Sequence, residues 1–244
     1  MAAKILLFDV ETAPYKVWVW QLYDANAIRV DQPMSLLSYA YKWYGENTVN
    51  INSLRHYKTY KPGDLDDKLL TQDLWKLLDE ADIIIGQNSD SYDLKVANTR
   101  FLHHKLSPPS TYQTFDTLKA LKKAFRFGSN KQDSVLRQLG AGEKHPSNLD
   151  MWFGCMAGDT KSWELMEKYN AQDVVGLETL YELVRPWVKH PNVTLYSEKS
   201  DDIACPTCGS HNVQKRGPYA SLTRTYQRYR CSDCKVWFKG ALLK

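Results

Sequence analysis

The feature that most constrains the fold is an apolar run, residues 5–8, that leads directly into two carboxylates, Asp9 and Glu11. This run predicts a buried strand over residues 4–10. Alternate strand positions face the same side, so Asp9 and Glu11 are expected to project together while Val10 points the other way. Two like charges this close stay ionised at low cost only beside cations, and a divalent metal ion is the usual solution. The alternative is that Glu11 lies past the end of the strand in solvent.

The pattern along the rest of the chain predicts strands first and then an alternation of helix and strand. Two further strands are predicted at residues 34–43 and 48–57, joined by a turn that contains Gly45. Apolar residues at helical spacing predict helices at 66–80, 93–104, 119–127, 131–139 and 162–184, with short strands in "ADIIIG" and "YQTFDTL". This order predicts an α/β fold, a mixed sheet flanked by helices.

Two later stretches carry acids at positions where ligands commonly bind. In "IIIGQNSDSYD" a buried strand ends at Gly86, Asn88 follows, and Asp93 opens a helix. Ligands gather where the strands of an α/β sheet end. An acid in the first helical turn is also favoured by the helix dipole, so Asp93 alone has a purely structural explanation.

The second stretch, "YNAQD", places Tyr169 and Asp173 four residues apart on one face of the last predicted helix. Taken alone, this pair is more typical of a core tyrosine beside a solvated aspartate than of an active site. The pair indicates a functional site only in combination with the two acids on the first strand and the acid at the start of a helix.

Together, "FDVET", "NSDSYD" and "YNAQD" resemble, in order and spacing, the three motifs of the DnaQ-like, DEDDy-type 3′–5′ exonucleases. The resemblance spans residues 4–188 and is closest to the proofreading domains of family B DNA polymerases. It implies a ribonuclease-H-like sheet and hydrolysis of single-stranded nucleic acid from its 3′ end, with DNA favoured over RNA. One departure is Tyr92, where phenylalanine is common in the family.

The resemblance also implies roles for individual residues. The expected ligands of two Mg²⁺ or Mn²⁺ ions are Asp9, Glu11, Asp93 and Asp173. Tyr169 is expected to orient the attacking water, because a tyrosine with an ordinary pKa near 10 is a poor base at neutral pH. Thr12 and Asn88 correspond to positions near the terminal nucleotide. Asp116, in "TFDTL", is expected to support the site, since the set of four acids is complete without it.

Four of the five cysteines form two Cys-x-x-Cys pairs, "CPTC" and "CSDC", with 22 residues between the pairs. This spacing predicts a closed tetrahedral site for one structural Zn²⁺, formed by Cys205, Cys208, Cys231 and Cys234. A redox pair or a disulfide is the alternative. Cys155 has no such neighbour and is expected to be a small buried residue.

The segment around these cysteines resembles the zinc ribbons of transposases and other nucleic-acid proteins. From residue 203 onward it carries eight of the chain's 32 basic residues but only one of its 28 acids, so its charge is near +7 and that of the rest near −3. This asymmetry favours a polyanionic partner. The predicted nucleic-acid contacts are Lys215, Arg216, Arg224, Arg228 and Arg230. Docking of a protein partner is the alternative.

The sequence therefore predicts an exonuclease domain at residues 1–190, a linker at 191–202 and a zinc ribbon at 203–244. No apolar stretch approaches the roughly 20 residues of a membrane span, and acids near the start do not fit a signal peptide. An intracellular location is expected, in the cytoplasm or, for a viral protein, in that of the host. Two other functions remain open: a catalytically silent binding or partner-recruiting protein, and a transposase-like or structure-specific endonuclease.

Overall fold

The computed structural model describes residues 2–142, 149–197 and 202–244. The strands of the main body are β1 (Ile5–Ala13), β2 (Lys16–Trp18), β3 (Arg29–Gln32), β4 (Ser35–Trp43), β5 (Asn50–Ser53), β6 (Ile83–Gly86) and β7 (Gln113–Asp116). The helices are α1 (Lys68–Glu80), α2 (Asp93–His103), α3 (Thr117–Ala124), α4 (Gln132–Gln138), α5 (Leu149–Ala157) and α6 (Thr160–Val184). Strands β8 (Val213–Ala220), β9 (Thr225–Cys231) and β10 (Trp237–Leu242) lie near the end of the chain.

A five-stranded sheet in the order β5-β4-β1-β6-β7 forms the centre of the body. Strands β1 and β4, and β4 and β5, are antiparallel, whereas β6 is parallel to both of its neighbours. Helices cover both faces of the sheet and form two buried clusters with it. The predicted α/β class, a mixed sheet flanked by helices, is confirmed.

Strand β1 separates the two clusters, because its side chains alternate between the two faces of the sheet. Leu6 and Phe8 belong to the first cluster, and Leu7 belongs to the second. Asp9 and Glu11 continue the Leu7 side of the strand. Glu11 lies within β1, which runs to Ala13, so the alternative that Glu11 lies beyond the strand is wrong.

Helix α6 contributes to both clusters, and its middle section therefore lies at the end of β1. Trp163 and Met166, near its start, pack in the first cluster. Val174 and Leu177, further along, pack with Leu7 in the second. This packing places the residues between them, including Tyr169 and Asp173, beside the carboxylates of β1.

One hairpin and one helix of the body are absent from the sequence prediction. Strands β2 and β3 form an exposed hairpin, whose alternating pattern has no buried face to reveal it. Helix α5 contains Trp152, Phe153, Gly154 and Cys155, none of which is a strong helix former. The predicted strand at 48–57 is shorter than expected, since β5 gives way to a 3₁₀ helix at Leu54–His56.

The C-terminal segment, residues 202–244, forms a three-stranded antiparallel sheet in the order β10-β9-β8. Its own buried cluster consists of Cys205, Cys231, Cys234 and Val236. The predicted linker contains a 3₁₀ helix, Val193–Tyr196, whose Val193 packs in the second cluster of the body. Residues 198–201 of that linker lie outside the described part. Within the described ranges, no helix is long and apolar enough to cross a membrane.

Candidate metal-dependent active site

Three carboxylates converge where β1 meets the middle of α6. Asp9 and Glu11 project from β1, and Asp173 projects from α6. All three are half-buried, and one oxygen from each lies within 4.8 Å of the others. Carboxylate oxygens are the ligands that Mg²⁺ and Mn²⁺ prefer, so this donor set fits such an ion.

Asp9 is held in place by Asn170, a residue that the sequence reasoning did not single out. The Asn170 side chain is fully buried. Its Nδ2 donates to Asp9 Oδ2 at 2.8 Å and to the Asp9 backbone carbonyl at 3.3 Å. Its Oδ1 accepts from the Ser38 hydroxyl at 3.1 Å, which fixes which way the amide points. Asn170 follows Tyr169 directly, and only its burial, invisible in the sequence, distinguishes it from a surface amide.

Glu11 is oriented by Trp152 of α5, a second residue that the sequence reasoning missed. The indole Nε1 donates to Glu11 Oε2 at 3.2 Å. The same indole packs edge-on against Tyr169, with ring centroids 5.8 Å apart and an interplanar angle of 72°. Trp152 therefore contacts both the carboxylate and the tyrosine, and α5 is part of the site.

Asp93 lies next to the three-carboxylate group but is not one of its members. Pairing of β1 with β6 ends at Leu7, and beyond it the Val10 amide donates to Asp93 Oδ1 at 3.1 Å. Asp93 is only 4% exposed. This burial raises the pKa of Asp93 to about 6, although the hydrogen bond from Val10 partly opposes the rise. A nearby cation would lower this pKa, because it favours the charged carboxylate.

Asp116 organises the loop between β6 and α2, in line with the supporting role expected for it. Its Oδ1 accepts from the amides of Asn88, at 3.0 Å, and Leu118, at 2.9 Å. Asn88 itself adopts a left-handed conformation with φ +64°, which asparagine tolerates better than most residues. A Cβ at Gly86 would lie 2.4 Å from the Cβ of Ser89, so the tight return of this loop requires glycine.

Thr12 and Asn88, predicted to lie near a terminal nucleotide, occupy different surroundings. The Thr12 hydroxyl lies 2.8 Å from the Tyr92 hydroxyl, so the hydroxyl that distinguishes Tyr92 from phenylalanine has a partner. Asn88 lines a cleft of about 530 Å³ together with Asp9 and Asp173, and Thr12 is not among the residues that line it.

The cleft is also lined by cations. Lys122 and Lys131 line it together with Asp9, Asp133 and Asp173. Gln132 is a further lining residue, and its Nε2 donates to the Asp173 carbonyl at 2.8 Å. The cleft thus combines acids that can hold metal ions with lysines that can pair with a phosphate.

Another acidic group, Asp66, Asp67 and His104, has the composition of a metal site but is already neutralised. Asp67 is fully buried and accepts from Arg100 Nε at 2.7 Å and from Arg100 Nη2 at 2.6 Å. Its Oδ2 also accepts from the Leu36 amide at 2.8 Å. This carboxylate is thus the buried partner of a guanidinium.

The four cysteines of the C-terminal segment form a single cluster. Cys205 Sγ lies 3.6 Å from Cys234 Sγ, Cys208 Sγ lies 3.7 Å from Cys231 Sγ, and all four sulfurs are within 4.8 Å of one another. A tetrahedral Zn²⁺ with Zn–S bonds of about 2.3 Å separates its sulfurs by about 3.8 Å. The spacing fits that geometry and is far longer than a disulfide bond of about 2.05 Å.

Cys155 stands apart from this cluster. It is fully buried in the first cluster of the body, as expected for a small core residue. Desolvation raises the pKa of its thiol to about 12, so the thiol stays protonated at neutral pH.

The basic residues predicted to contact nucleic acid are spread over β8, β9 and the turn between them. Lys215 and Arg216 lie on β8, Arg224 in the turn, and Arg228 and Arg230 on β9. Alternation along β9 buries Tyr229, which is 8% exposed and stacks on Phe238 at 5.5 Å.

Comparison with known proteins agrees with this architecture. A family model described as the RNase_H superfamily matches residues 40–185, more than half of the chain. Asp93, Tyr169 and Asp173 lie inside the matched segment, and Asp9 and Glu11 precede it. No curated protein matches the sequence.

Among solved structures, the fold is similar to that of the family B DNA polymerase from the hyperthermophilic archaeon Pyrobaculum calidifontis. The TM-score is 0.55 and the sequence identity 14%, over 75% of this chain. The chain matches about a quarter of the polymerase chain, 25% of its length. At this identity the similarity establishes the fold.

Proposed function

Because the chain belongs to the RNase_H superfamily, which includes nucleases, we propose that its carboxylate cluster is the active site of a metal-dependent 3′–5′ exonuclease. The observation that carries the proposal is the convergence of Asp9, Glu11 and Asp173 from two elements, with Tyr169 one helical turn from Asp173. The proposed substrate is single-stranded nucleic acid, with DNA favoured over RNA on the resemblance of the three motifs.

Two Mg²⁺ or Mn²⁺ ions, when bound, would activate a water and stabilise the leaving oxygen of a phosphodiester. The residues that would hold them are Asp9, Glu11 and Asp173, with Asp93 beside them. Asn170 keeps Asp9 directed into the site, and Trp152 does the same for Glu11. These contacts fix the carboxylates before any metal arrives, which lowers the cost of ordering them.

Tyr169 is proposed to orient the attacking water with its hydroxyl. Its ring is fixed edge-on by Trp152, and it lies on the same face of α6 as Asp173. Lys122 and Lys131, which line the cleft, are proposed to pair with the phosphates of the strand as it enters. Asn88 lines the same cleft and is proposed to contact the terminal nucleotide.

A single structural Zn²⁺ is proposed for the four-cysteine cluster, whose sulfur spacing supports it. All four ligand positions are filled by thiolates, so the site leaves no open position for chemistry. The basic C-terminal segment is proposed to hold part of the substrate.

The direct test follows a 5′-labelled single-stranded DNA, and an RNA of the same sequence, incubated with the protein and Mg²⁺ or Mn²⁺. A descending ladder is expected, and its relative rate on the two substrates gives the sugar preference. Asp9→Asn should abolish the ladder, whereas Asp66→Asn, at an exposed acid that does not line the cleft, should retain it. A single internal cut would indicate an endonuclease, and no product on either substrate would indicate a binding protein.

A further inference from the structure

A second large cleft, of about 580 Å³, separates the C-terminal segment from the chain that follows α6. Trp187 and Lys189 line it on the side of the body, and Arg228, Trp237 and Lys239 line it on the side of the C-terminal sheet. The two sides are joined by a hydrogen bond of 2.9 Å from the Val193 amide to the Pro206 carbonyl. The cleft is therefore a feature of the folded chain and uses none of the carboxylates of the active site.

The C-terminal wall of this cleft is part of a surface on which cations and aromatic rings alternate. Arg228 and Arg230 share one face of β9, and their cross-strand partners on β10 are Lys239 and Trp237. The two guanidinium carbons lie 5.1 and 5.8 Å from the centre of the Trp237 ring. Lys239 Nζ lies 4.5 Å from the centre of the Tyr226 ring.

The body supplies a further aromatic ring, Trp187. It lies directly after α6 in a short 3₁₀ helix, Arg185–Trp187, and packs edge-on against Phe125 at 5.6 Å. Even so, Trp187 is 70% exposed, and Trp237 on the other wall is 51% exposed. Two tryptophans that have packing partners and yet remain half or more exposed offer ring surface for stacking.

The positive charge of the cleft indicates which chemical class of ligand it can bind. Among the described residues that line the cleft, three are cations: Lys189, Arg228 and Lys239. The described lining contains no aspartate or glutamate. A partner must therefore be anionic and must also carry flat apolar groups that match the tryptophans. Single-stranded nucleic acid has both properties, because phosphates alternate with bases along it.

We propose that this cleft binds single-stranded nucleic acid, with bases stacked on Trp187 and Trp237 and phosphates paired with Arg228 and Lys239. The inference rests on the proposed function in one respect: the bound strand is the substrate whose 3′ end reaches the carboxylate cluster. Asp173 and Trp187 are 14 positions apart in the sequence, which corresponds to roughly 20 Å along the helix. The cleft thus holds nucleotides upstream of the one being removed.

The test measures binding separately from hydrolysis. The full-length protein carrying Asp173→Asn is titrated into a fluorescein-labelled single-stranded oligodeoxythymidine, and fluorescence anisotropy gives the dissociation constant. Adding Trp187→Ala or Trp237→Ala should weaken binding about five- to a hundredfold, the range expected for loss of one stacked base. Trp187→Phe should restore most of the affinity, since it keeps an aromatic face.

The matched control is Trp20→Ala, which removes an indole that is 89% exposed in the hairpin connection, away from both clefts. This variant should bind like the parent. Equal binding by the Trp187→Ala, Trp237→Ala and Trp20→Ala proteins would overturn the proposal. So would displacement of the oligonucleotide by a polyglutamate peptide at equal charge concentration, because that would show that charge alone decides binding.

The two proposals fail separately. Weaker binding by the tryptophan variants, together with no hydrolysis by the protein that keeps Asp173, would support the cleft and refute the exonuclease. A degradation ladder together with unchanged binding by those variants would support the exonuclease and refute the cleft.

Discussion

At the scale of single residues, the acids of the proposed site have different supports. Asp9 is held by a buried amide, Asn170, and Glu11 by an indole, Trp152. Asp93 is held by a backbone amide and is almost fully buried. These environments differ for chemically similar side chains: Asp9 and Glu11 are oriented by side-chain donors, whereas burial gives Asp93 a raised pKa.

The buried Asp93 predicts an effect of pH on stability. Its pKa of about 6 lies above the ordinary value near 3.9, so the folded protein binds this proton more tightly than the unfolded chain. Without metal, stability should therefore fall as pH rises from about 4 to about 6 and stay lower above that, by on the order of 3 kcal/mol.

Asp93→Asn removes this ionisation. Urea unfolding without added divalent metal should find the variant more stable than the wild type at pH 8, with the advantage vanishing near pH 4. An advantage of the same size at both pH values would show that the pKa of Asp93 is not raised.

The buried amide Asn170 predicts an effect on catalysis through Asp9. Asn170→Ala removes both hydrogen bonds to Asp9 and the support that they give to the Asp9 carboxylate. Loss of such an outer support typically costs about 10- to 100-fold in activity or metal affinity. Lys168→Ala, an exposed change on the same helix, is the control. In Mn²⁺ titrations of activity, the Mn²⁺ concentration that gives half-maximal activity should be higher for the Asn170 variant and unchanged for the control. An unchanged concentration for the Asn170 variant would mean that Asp9 does not need the support of Asn170.

At the scale of elements, helix α5 is a working part of the proposed site through Trp152. Trp152→Phe keeps the ring beside Tyr169 and removes the hydrogen bond to Glu11, whereas Trp152→Ala removes both contacts. The alanine variant should therefore lose more turnover than the phenylalanine variant, and both should lose more than Phe153→Ala, an exposed change on α5. Equal turnover in all three would exclude α5 from the site.

The elements also show which parts of the site are predictable from sequence. The shared face of Asp9 and Glu11 follows from the two-residue period of a strand, and that of Tyr169 and Asp173 from the helical repeat. The supports of the site do not follow in this way. Trp152 contacts a residue 141 positions earlier, and Asn170 one 161 positions earlier, so each depends on how distant elements pack.

The fold, like the site, was predictable only in part from the sequence. The body's larger helices and the central strands carry clear apolar periods, and they appear within a few residues of their expected bounds. Strands β2 and β3 bury nothing, and α5 is short and rich in weak helix formers, so neither produced a readable pattern. On β9 the mixture of aromatic and basic residues was visible, but which aromatic ring faces solvent depended on the register with β10.

At the scale of the whole molecule, the C-terminal segment is expected to depend on zinc for its structure. Its buried cluster is formed by three of the cysteines and Val236, too few residues to order a sheet without a metal ion. Cys205→Ser should lose one equivalent of zinc and make residues 202–244 sensitive to protease while the body persists. Cys155→Ala should keep its zinc. Full protease resistance of a zinc-free Cys205→Ser protein would show that the segment folds unaided.

The measurement that tests the central claim most directly is the location of Mn²⁺ in crystals of the protein, from its anomalous scattering. We predict a peak in contact with Asp9, Glu11 and Asp173, which is lost in crystals of Asp173→Asn. Absence of any peak among these three carboxylates, in crystals that contain Mn²⁺ at a concentration that supports nuclease activity, would contradict the proposal that they form the metal site.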